Sequence, residues 1–323
     1  MPYRQTTVSG FPAVALRSDE IEVVAVPSLG MKLTHLRRLR RGREWLWRNE
    51  QIPLALPRPD ASYVETADSG GWDECFPTVG PSPVPGAPQG PALPDHGELW
   101  AAPWTSSVYE HADGVTLAGT ARGARLPYEF HREVTLDSEA PAVRLRYRLR
   151  HTGDEPFPWI WSAHPLFNVQ PGSTLALPGI HQVKLDAVHG RDDLSRDDVV
   201  SWPEAIGGAP APFVFPAQGG WAVKCFGDIG SDAPMTLTDP RAGERLEIRV
   251  RAADVSQVGV WINCGGWAPP GRTPYYNLAL EPCIGAPDRL QDAVEAWGTA
   301  QTLAPGEERR WEVEVRLEGE RER

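Results

Sequence analysis

Val143-Arg-Leu-Arg-Tyr-Arg-Leu-Arg150 alternates strictly: Val143, Leu145, Tyr147 and Leu149 take every other position, and Arg144, Arg146, Arg148 and Arg150 fill the gaps. A period of two places the apolar side chains on one face of a β-strand and the charges on the other. A sheet with one wet face is of the antiparallel kind. The pattern returns on both sides of this stretch. Leu246, Ile248 and Val250 alternate with Arg245, Glu247 and Arg249, and Trp311, Val313, Val315 and Leu317 alternate with Glu312, Glu314 and Arg316. Further strands are expected at 20–27, 31–39, 106–111, 115–121, 128–136, 221–226, 256–263 and 276–281, with turn chemistry between them, as in His111-Ala-Asp-Gly114 and His151-Thr-Gly-Asp154. Helical spacing is scarce: Leu290, Val294 and Trp297 mark one short helix within 288–297. Strands do not alternate with long helices, which argues against a doubly wound sheet. No repeat of 20–50 residues appears. The Pro-rich stretch 77–94 is read as a long loop rather than a linker, because motif residues flank it on both sides. The expectation is one all-β domain spanning 1–323, built of large antiparallel sheets with few short helices.

The chain has 323 residues, and its formal net charge of −11 argues against binding nucleic acid or an anionic membrane through bulk charge. Its 31 glycines and 33 prolines imply many turns without reaching a low-complexity composition. No apolar run approaches the ~18 residues of a membrane helix. Met1-Pro-Tyr-Arg-Gln5 lacks a basic segment followed by an apolar core, so no signal peptide is expected. Cys75, Cys225, Cys264 and Cys283 form no C-x-x-C pair. Their scatter fits reduced, buried thiols and a cytoplasmic location.

Three groups stand out as candidates for chemistry. His96 lies in Leu93-Pro-Asp-His-Gly-Glu-Leu-Trp100, hemmed by Asp95, Gly97 and Glu98. His164 lies in Trp159-Ile-Trp-Ser-Ala-His-Pro-Leu-Phe-Asn168, an aromatic stretch ending in His-Pro. Glu281 closes the apolar run Asn277-Leu-Ala-Leu-Glu-Pro-Cys283. A carboxylate at the end of a buried strand must be paired, solvated in a cleft or shifted in pKa. Each signal alone is also met by structural residues. Two His and a Glu are a metal set in principle, but no H-x-E-x-H or H-x-x-x-H spacing appears, and no metal is expected. The other six histidines sit in strand or turn patterns and read as structural. The Arg ladder 144–150 reads as a solvated sheet face, and the acidic run 191–198 as an exposed loop.

Tryptophan is unusually frequent: 13, against 8 Phe and 7 Tyr. Trp72, Trp100, Trp104, Trp159, Trp161, Trp261 and Trp267 fall in or near the Gly/Pro-rich motif segments. They serve either as packing or as platforms for the apolar face of a sugar ring, and Trp72 and Trp161 are the platform candidates.

Taken together, in this order and spacing, the segments around His96, His164 and Glu281 resemble the aldose 1-epimerase (mutarotase) family. Ser69-Gly-Gly-Trp-Asp-Glu-Cys-Phe-Pro77 and the His96 segment resemble the family's sugar-pocket loops, and the likeness runs over roughly 20–317. It implies a galactose-mutarotase-like β-supersandwich and interconversion of α and β anomers without cofactor or metal. It implies Glu281 as base, His164 as acid, and His96 as a hydrogen-bond partner of the ring or C1 oxygen that helps share the proton. Trp72, Asp73, Glu74, Glu98, Trp161 and Asn168 are the accompanying substrate-binding candidates, although Asn168 also fits a turn cap. The Asn-Arg segment typical of galactose mutarotases is absent. The related hexose-6-phosphate epimerases carry an Arg before the Gly-Gly pair and another four residues after the first His, where this chain has Ser69 and Trp100. Losing both Arg forks favours a neutral sugar partner over a sugar phosphate. A phosphate would need another donor, such as Arg58, Lys224 or Arg272. A modified-sugar epimerase and a non-catalytic carbohydrate-binding protein are the alternatives. Specificity is expected in 77–94 and 181–215, and the sugar and the oligomeric state stay open.

Overall fold

A computed structural model describes residues 2–40, 42–86, 90, 92–138, 140–217 and 219–319. The alternating stretch forms the strand Ala142–His151, with Tyr128–Asp137 and Glu308–Gly319 as its antiparallel neighbours. Register sets Tyr147 opposite Trp311 and Leu145 opposite Val313, so their side chains share the buried face. On the other face Arg146 meets Glu312 at 2.8 Å and Arg148 meets Glu308 at 3.5 Å. These strands belong to a nine-stranded sheet that runs from Phe213–Val214 at one edge to Thr105–His111 at the other.

The second sheet has eleven strands in the order Tyr3–Val8, Phe11–Arg17, Ile21–Val26, Lys32–Arg38, Trp72–Cys75, Trp161–Phe167, Tyr276–Ile284, Gln257–Cys264, Trp221–Asp228, Gln182–His189 and Val199–Ser201. Every pairing is antiparallel, which matches the all-β expectation. The inner faces of the two sheets enclose one apolar core that draws on residues from Val14 to Leu317. Aromatic rings knit its centre: Tyr147 stacks on Trp311 at 5.4 Å, and Trp161 meets Trp311 edge-on at 5.0 Å.

Two strands at the middle of this sheet, Trp72–Cys75 and Trp161–Phe167, are absent from the sequence-based set. All of their residues are buried, so neither shows an apolar/polar alternation. The helix expected within 288–297 is a short turn, Leu290–Asp292, continued by a π-turn, Ala293–Trp297. The wider π-turn rotates the face, so Leu290 and Ala293 are buried while Val294 is 39% exposed. The stretch 77–94 is without helix or strand where it is described, bridged by Ser82 and Leu93, and residues 87–89 and 91 of it lie outside the described set. The segment 181–215 contains Gln182–His189, Val199–Ser201, a short helix Glu204–Gly207 and Phe213–Val214. Among the described residues, no helix is long and apolar enough to cross a membrane.

Candidate active site

Antiparallel register gathers the site on the outer face of the eleven-stranded sheet. Asp73 pairs with His164. Ser162 pairs with Cys283 and Leu166 with Ala279, so His164 falls opposite Glu281, which pairs in turn with Gly259. Directly paired residues point to the same face, so Asp73, His164 and Glu281 form one row across three strands. On each strand the residues one position away face the core instead, as Leu280 and Ala163 do.

The row is almost dry: Glu281 is 0% exposed, Asp73 1% and His164 8%. Ser162 Oγ donates to Glu281 Oε2 at 3.1 Å, and Lys224 Nζ donates to the same oxygen at 2.6 Å. Oε1 faces His164 Nε2 at 3.8 Å and has no hydrogen-bond partner among the described residues. His164 Nδ1 and Asp73 Oδ1 are likewise buried and unpartnered. The other Asp73 oxygen accepts from Lys32 Nζ and from the Tyr63 hydroxyl. Lys32 also donates to the Gly70 carbonyl at 2.9 Å. Burial, reinforced by the cations His96, Lys224 and Lys32, drives the His164 pKa well below its ordinary value, so this imidazole is neutral.

His96 reaches the row from a loop. Its backbone is left-handed, φ 60°, which His tolerates better than most residues. Gly97 follows at φ 70°, and a Cβ there would lie 2.3 Å from the Phe76 carbonyl oxygen, so only glycine lets the loop dock on that strand end. His96 Nδ1 donates to Asp95 Oδ1 at 2.8 Å. The other Asp95 oxygen accepts from the backbone N–H of Tyr63 at 2.8 Å and from Ser62 Oγ at 3.2 Å. The Tyr63 ring stacks on His96 at 4.0 Å and 18°, and the His96 and His164 rings meet edge to face at 4.8 Å. Burial opposes charge on His96, but Asp95, with Asp288 and Asp68, outweighs it, and the pKa lies above the ordinary 6.5. The carboxylate that does this is itself opposed by burial, yet His96 and its other donors hold its pKa down to about 2. The two histidines are thus pushed in opposite directions.

Several expected binding residues lie elsewhere. Trp72, Glu74 and Trp161 sit at odd offsets from Asp73 and His164 and therefore point into the core. There Glu74 accepts from Trp72 Nε1 at 3.2 Å, the Tyr147 hydroxyl at 3.0 Å and Trp161 Nε1 at 2.9 Å, and pairs with Arg132 at 3.2 Å. Burial pushes its pKa up to about 7 against those partners. Neither indole presents a platform: Trp161 is 0% exposed and Trp72 1%. Glu98 anchors a loop by accepting from the backbone of Ala124 and Arg125. Asn168 Nδ2 donates to the carbonyls of Glu44 and Leu46, which ties down the segment before the Gly-Gly loop. Trp261 and Trp267 do lie along the site face, edge to face at 5.6 Å and half-buried. Tyr63, Lys32, Ser162 and Asp95 are at the site although the motifs did not single them out. Lys224, named only as a phosphate donor, is committed to carboxylates, and Arg272 donates to the Gln51 carbonyl. Among the described residues, no cluster of three or more His, Cys, Asp or Glu has metal-holding geometry.

No protein-family model and no curated protein matches this sequence. Solved structures do match its shape. The Slr1438 protein from Synechocystis sp. PCC 6803 has a TM-score of 0.71 at 17% identity, covering 98% of this chain and 100% of that one. A galactose mutarotase-like protein from Lactobacillus casei gives 0.64 at 17% identity, covering 95% and 100%. The galactose mutarotase related enzyme from Lactobacillus acidophilus gives 0.62 at 14% identity, covering 95% and 97%. Identities this low carry the fold and no more, and the fold of this chain is that of the galactose mutarotase-like structures.

Proposed function

We propose that the protein is an aldose 1-epimerase acting on a free, neutral sugar. One observation carries the reading: three buried polar atoms, Asp73 Oδ1, His164 Nδ1 and Glu281 Oε1, lie in one row with no hydrogen-bond partner among the described residues. Unpaired buried polar atoms are costly, and a row of three beside a histidine paired with Asp95 is what a polyhydroxylated ligand would satisfy.

The chemistry follows from the opposed histidines. Glu281 Oε1 takes the proton of the C1 hydroxyl. The C1–ring-oxygen bond breaks, its electron pair goes to the ring oxygen, and an acid supplies the proton there. The resemblance implied His164 as that acid. The opposed shifts favour His96, whose pKa Asp95 raises, with His164, whose pKa is lowered, as the hydrogen-bond partner between it and Glu281. Rotation about C1–C2 and reclosure by the reverse proton transfers give the other anomer. Lys32 and Lys224 each already pair with a carboxylate, which supports a neutral substrate over a sugar phosphate.

Polarimetry of freshly dissolved α-glucose and α-galactose, with and without protein, tests this. Acceleration that Glu281→Gln and His96→Gln both lose supports the reading. Thermal stabilisation by sugar without acceleration on any aldose would move the protein to the carbohydrate-binding class, and acceleration confined to glucose 6-phosphate would restore the phosphate alternative.

A further inference from the structure

Lys224 is a buried cation that the acid/base steps do not employ. Its strand, Trp221–Asp228, lies two strands away from Glu281, with Gln257–Cys264 between them. The register sets Glu281 opposite Gly259 and Lys224 opposite Trp261, so the path from ammonium to carboxylate crosses Gly259. That position has no side chain. A Cβ there would lie 3.2 Å from Glu281 Oε2, 3.4 Å from Lys224 Nζ and 3.0 Å from the Phe226 ring. The glycine is the gap through which Nζ reaches Oε2 at 2.6 Å. Ser162 Oγ approaches that oxygen from the opposite neighbouring strand. Both donors therefore act on Oε2, and Oε1 is left free toward His164.

We propose that Lys224 is a positioning residue of the epimerase site. With Ser162 it fixes the Glu281 carboxylate through Oε2, so that Oε1 alone exchanges protons with the sugar. This inference rests on the 1-epimerase reading. Lys224 is suited to the task because it stays an ammonium: burial opposes its charge, but Asp288, 3.5 Å away, and Glu281 outweigh that. The other charged or titratable groups around Glu281 are His164 on the neighbouring strand, Cys75 one strand beyond it, Cys283 on its own strand, Cys225 beside Lys224, Asp288 and His96 from loops, and Asp186 beside Asp288. None of these hydrogen-bonds the Glu281 carboxylate; among the described residues its side-chain donors are Lys224 and Ser162.

The test compares Lys224→Met, Lys224→Arg and Gly259→Ala with the unmodified chain in mutarotation kinetics across pH. Removing the cation disfavours the carboxylate, so Lys224→Met moves the acid limb of the kcat profile to higher pH. It also lowers kcat about 100-fold with KM within about threefold, the signature of lost proton transfer rather than lost binding. Lys224→Arg restores the limb. Gly259→Ala keeps both charges but drives them apart, and it moves the limb in the same direction as Lys224→Met. A residue that only packs the site would lower the melting temperature and leave the limb in place, and that result overturns the proposal. If the unmodified chain turns over no aldose, the functional reading fails by itself. The pairing is then read by carbon-13 NMR titration of labelled Glu side chains. A Glu281 carboxyl titration that is the same in the unmodified and Gly259→Ala proteins overturns it independently, whereas Lys224→Arg is expected to match the unmodified protein. Should Lys224→Met not fold, the other two variants carry both measurements.

Discussion

The outer faces of the two sheets use the same charged side chains to opposite ends. On the nine-stranded sheet, Arg and Glu alternate across strands around an open groove of about 760 Å3, lined among others by Arg146, Arg148, Arg249, Glu133, Glu312 and Asp254. Its pairs are wet: Arg146 and Glu312 keep 53% and 42% of their side-chain surface. On the eleven-stranded sheet, loops cover the face, and the Lys32–Asp73 and Lys224–Glu281 pairs keep 6% or less. Water screens a charge on the first face and makes each pair nearly dispensable. On the second face a charge without its partner is expensive, so every unpaired polar atom there calls for an explanation. Concavity and opposite charges alone do not mark a site. Desolvation combined with incomplete pairing of several groups in one row does.

The contrast is broken most severely by removing the proposed base. Glu281→Gln should lower mutarotation by roughly 10³-fold or more, the order expected when a general base is lost. Glu312→Gln on the wet face, measured in the same polarimetric assay, should leave the rate unchanged. Equal effects would mean that burial does not separate the two faces.

Next in size is a buried pair in the same row as Glu281. Lys32→Met leaves Asp73 with the Tyr63 hydroxyl alone, and breaking a dry ion pair on one side costs about 3–5 kcal/mol. Urea unfolding would show this as a large fall in midpoint at unchanged slope. A loss below about 1 kcal/mol, the range of exposed pairs, would place the Lys32–Asp73 pair in the wet class.

A smaller effect sharpens the assignment of the two histidines. Asp95→Asn removes the charge that holds the His96 pKa above 6.5. The basic limb of the rate profile should move to lower pH, with a loss of about tenfold at pH 7.5. The stability consequence has a definite sign. A raised pKa in the folded state stabilises below the unfolded value of about 6.5, and that part is lost as pH rises through the folded value. The stability gap between the parent and Asp95→Asn should therefore be widest below pH 6.5 and narrow above it. What persists at high pH is the part owed to the bonds from Ser62 and the Tyr63 backbone. A basic limb that follows His164 variants and ignores Asp95→Asn would return the acid role to His164.

The wet face was the more legible one. Arg144–Arg150 announces its strand because water covers one side and the core the other. The centre of the site sheet gave no such signal, since Trp72–Cys75 and Trp161–Phe167 are covered on both sides and Pro165 reads as a breaker. His96, His164 and Glu281 could be picked out as motif positions. Their neighbours Glu74 and Trp161 were drawn in by proximity along the chain, and the parity of a strand, once recognised, separates them: Asp73 and His164 face the site, Glu74 and Trp161 the core. Lys32 and Tyr63 had no local signature. Lys32 meets Asp73 across 41 positions, a contact made only by the sheet order. Lys224 is flanked by the buried Ala222, Val223, Cys225 and Phe226, and its charge makes sense only once Glu281 lies across Gly259.

The smallest expected effect tests the comparison from its other end. Arg146 and Glu312 lie opposite each other in register at 2.8 Å, with good geometry by any distance criterion. Both side chains are about half exposed and flexible, and ions in solution compete with them. A double-mutant cycle of Arg146→Ala and Glu312→Ala should therefore give a coupling of no more than about 0.5 kcal/mol, shrinking further in 0.5 M salt. Arg144 lies 3.8 Å from Glu312 and 3.7 Å from Glu314, so the ladder is a shared network and the loss of one rung leaves the others paired. A salt-resistant coupling of 2 kcal/mol or more, the size of a charged hydrogen bond made in a dry site, would mean that this groove excludes water as effectively as the loops over Glu281 do. The groove would then have to be treated as a second desolvated site rather than as a solvated face.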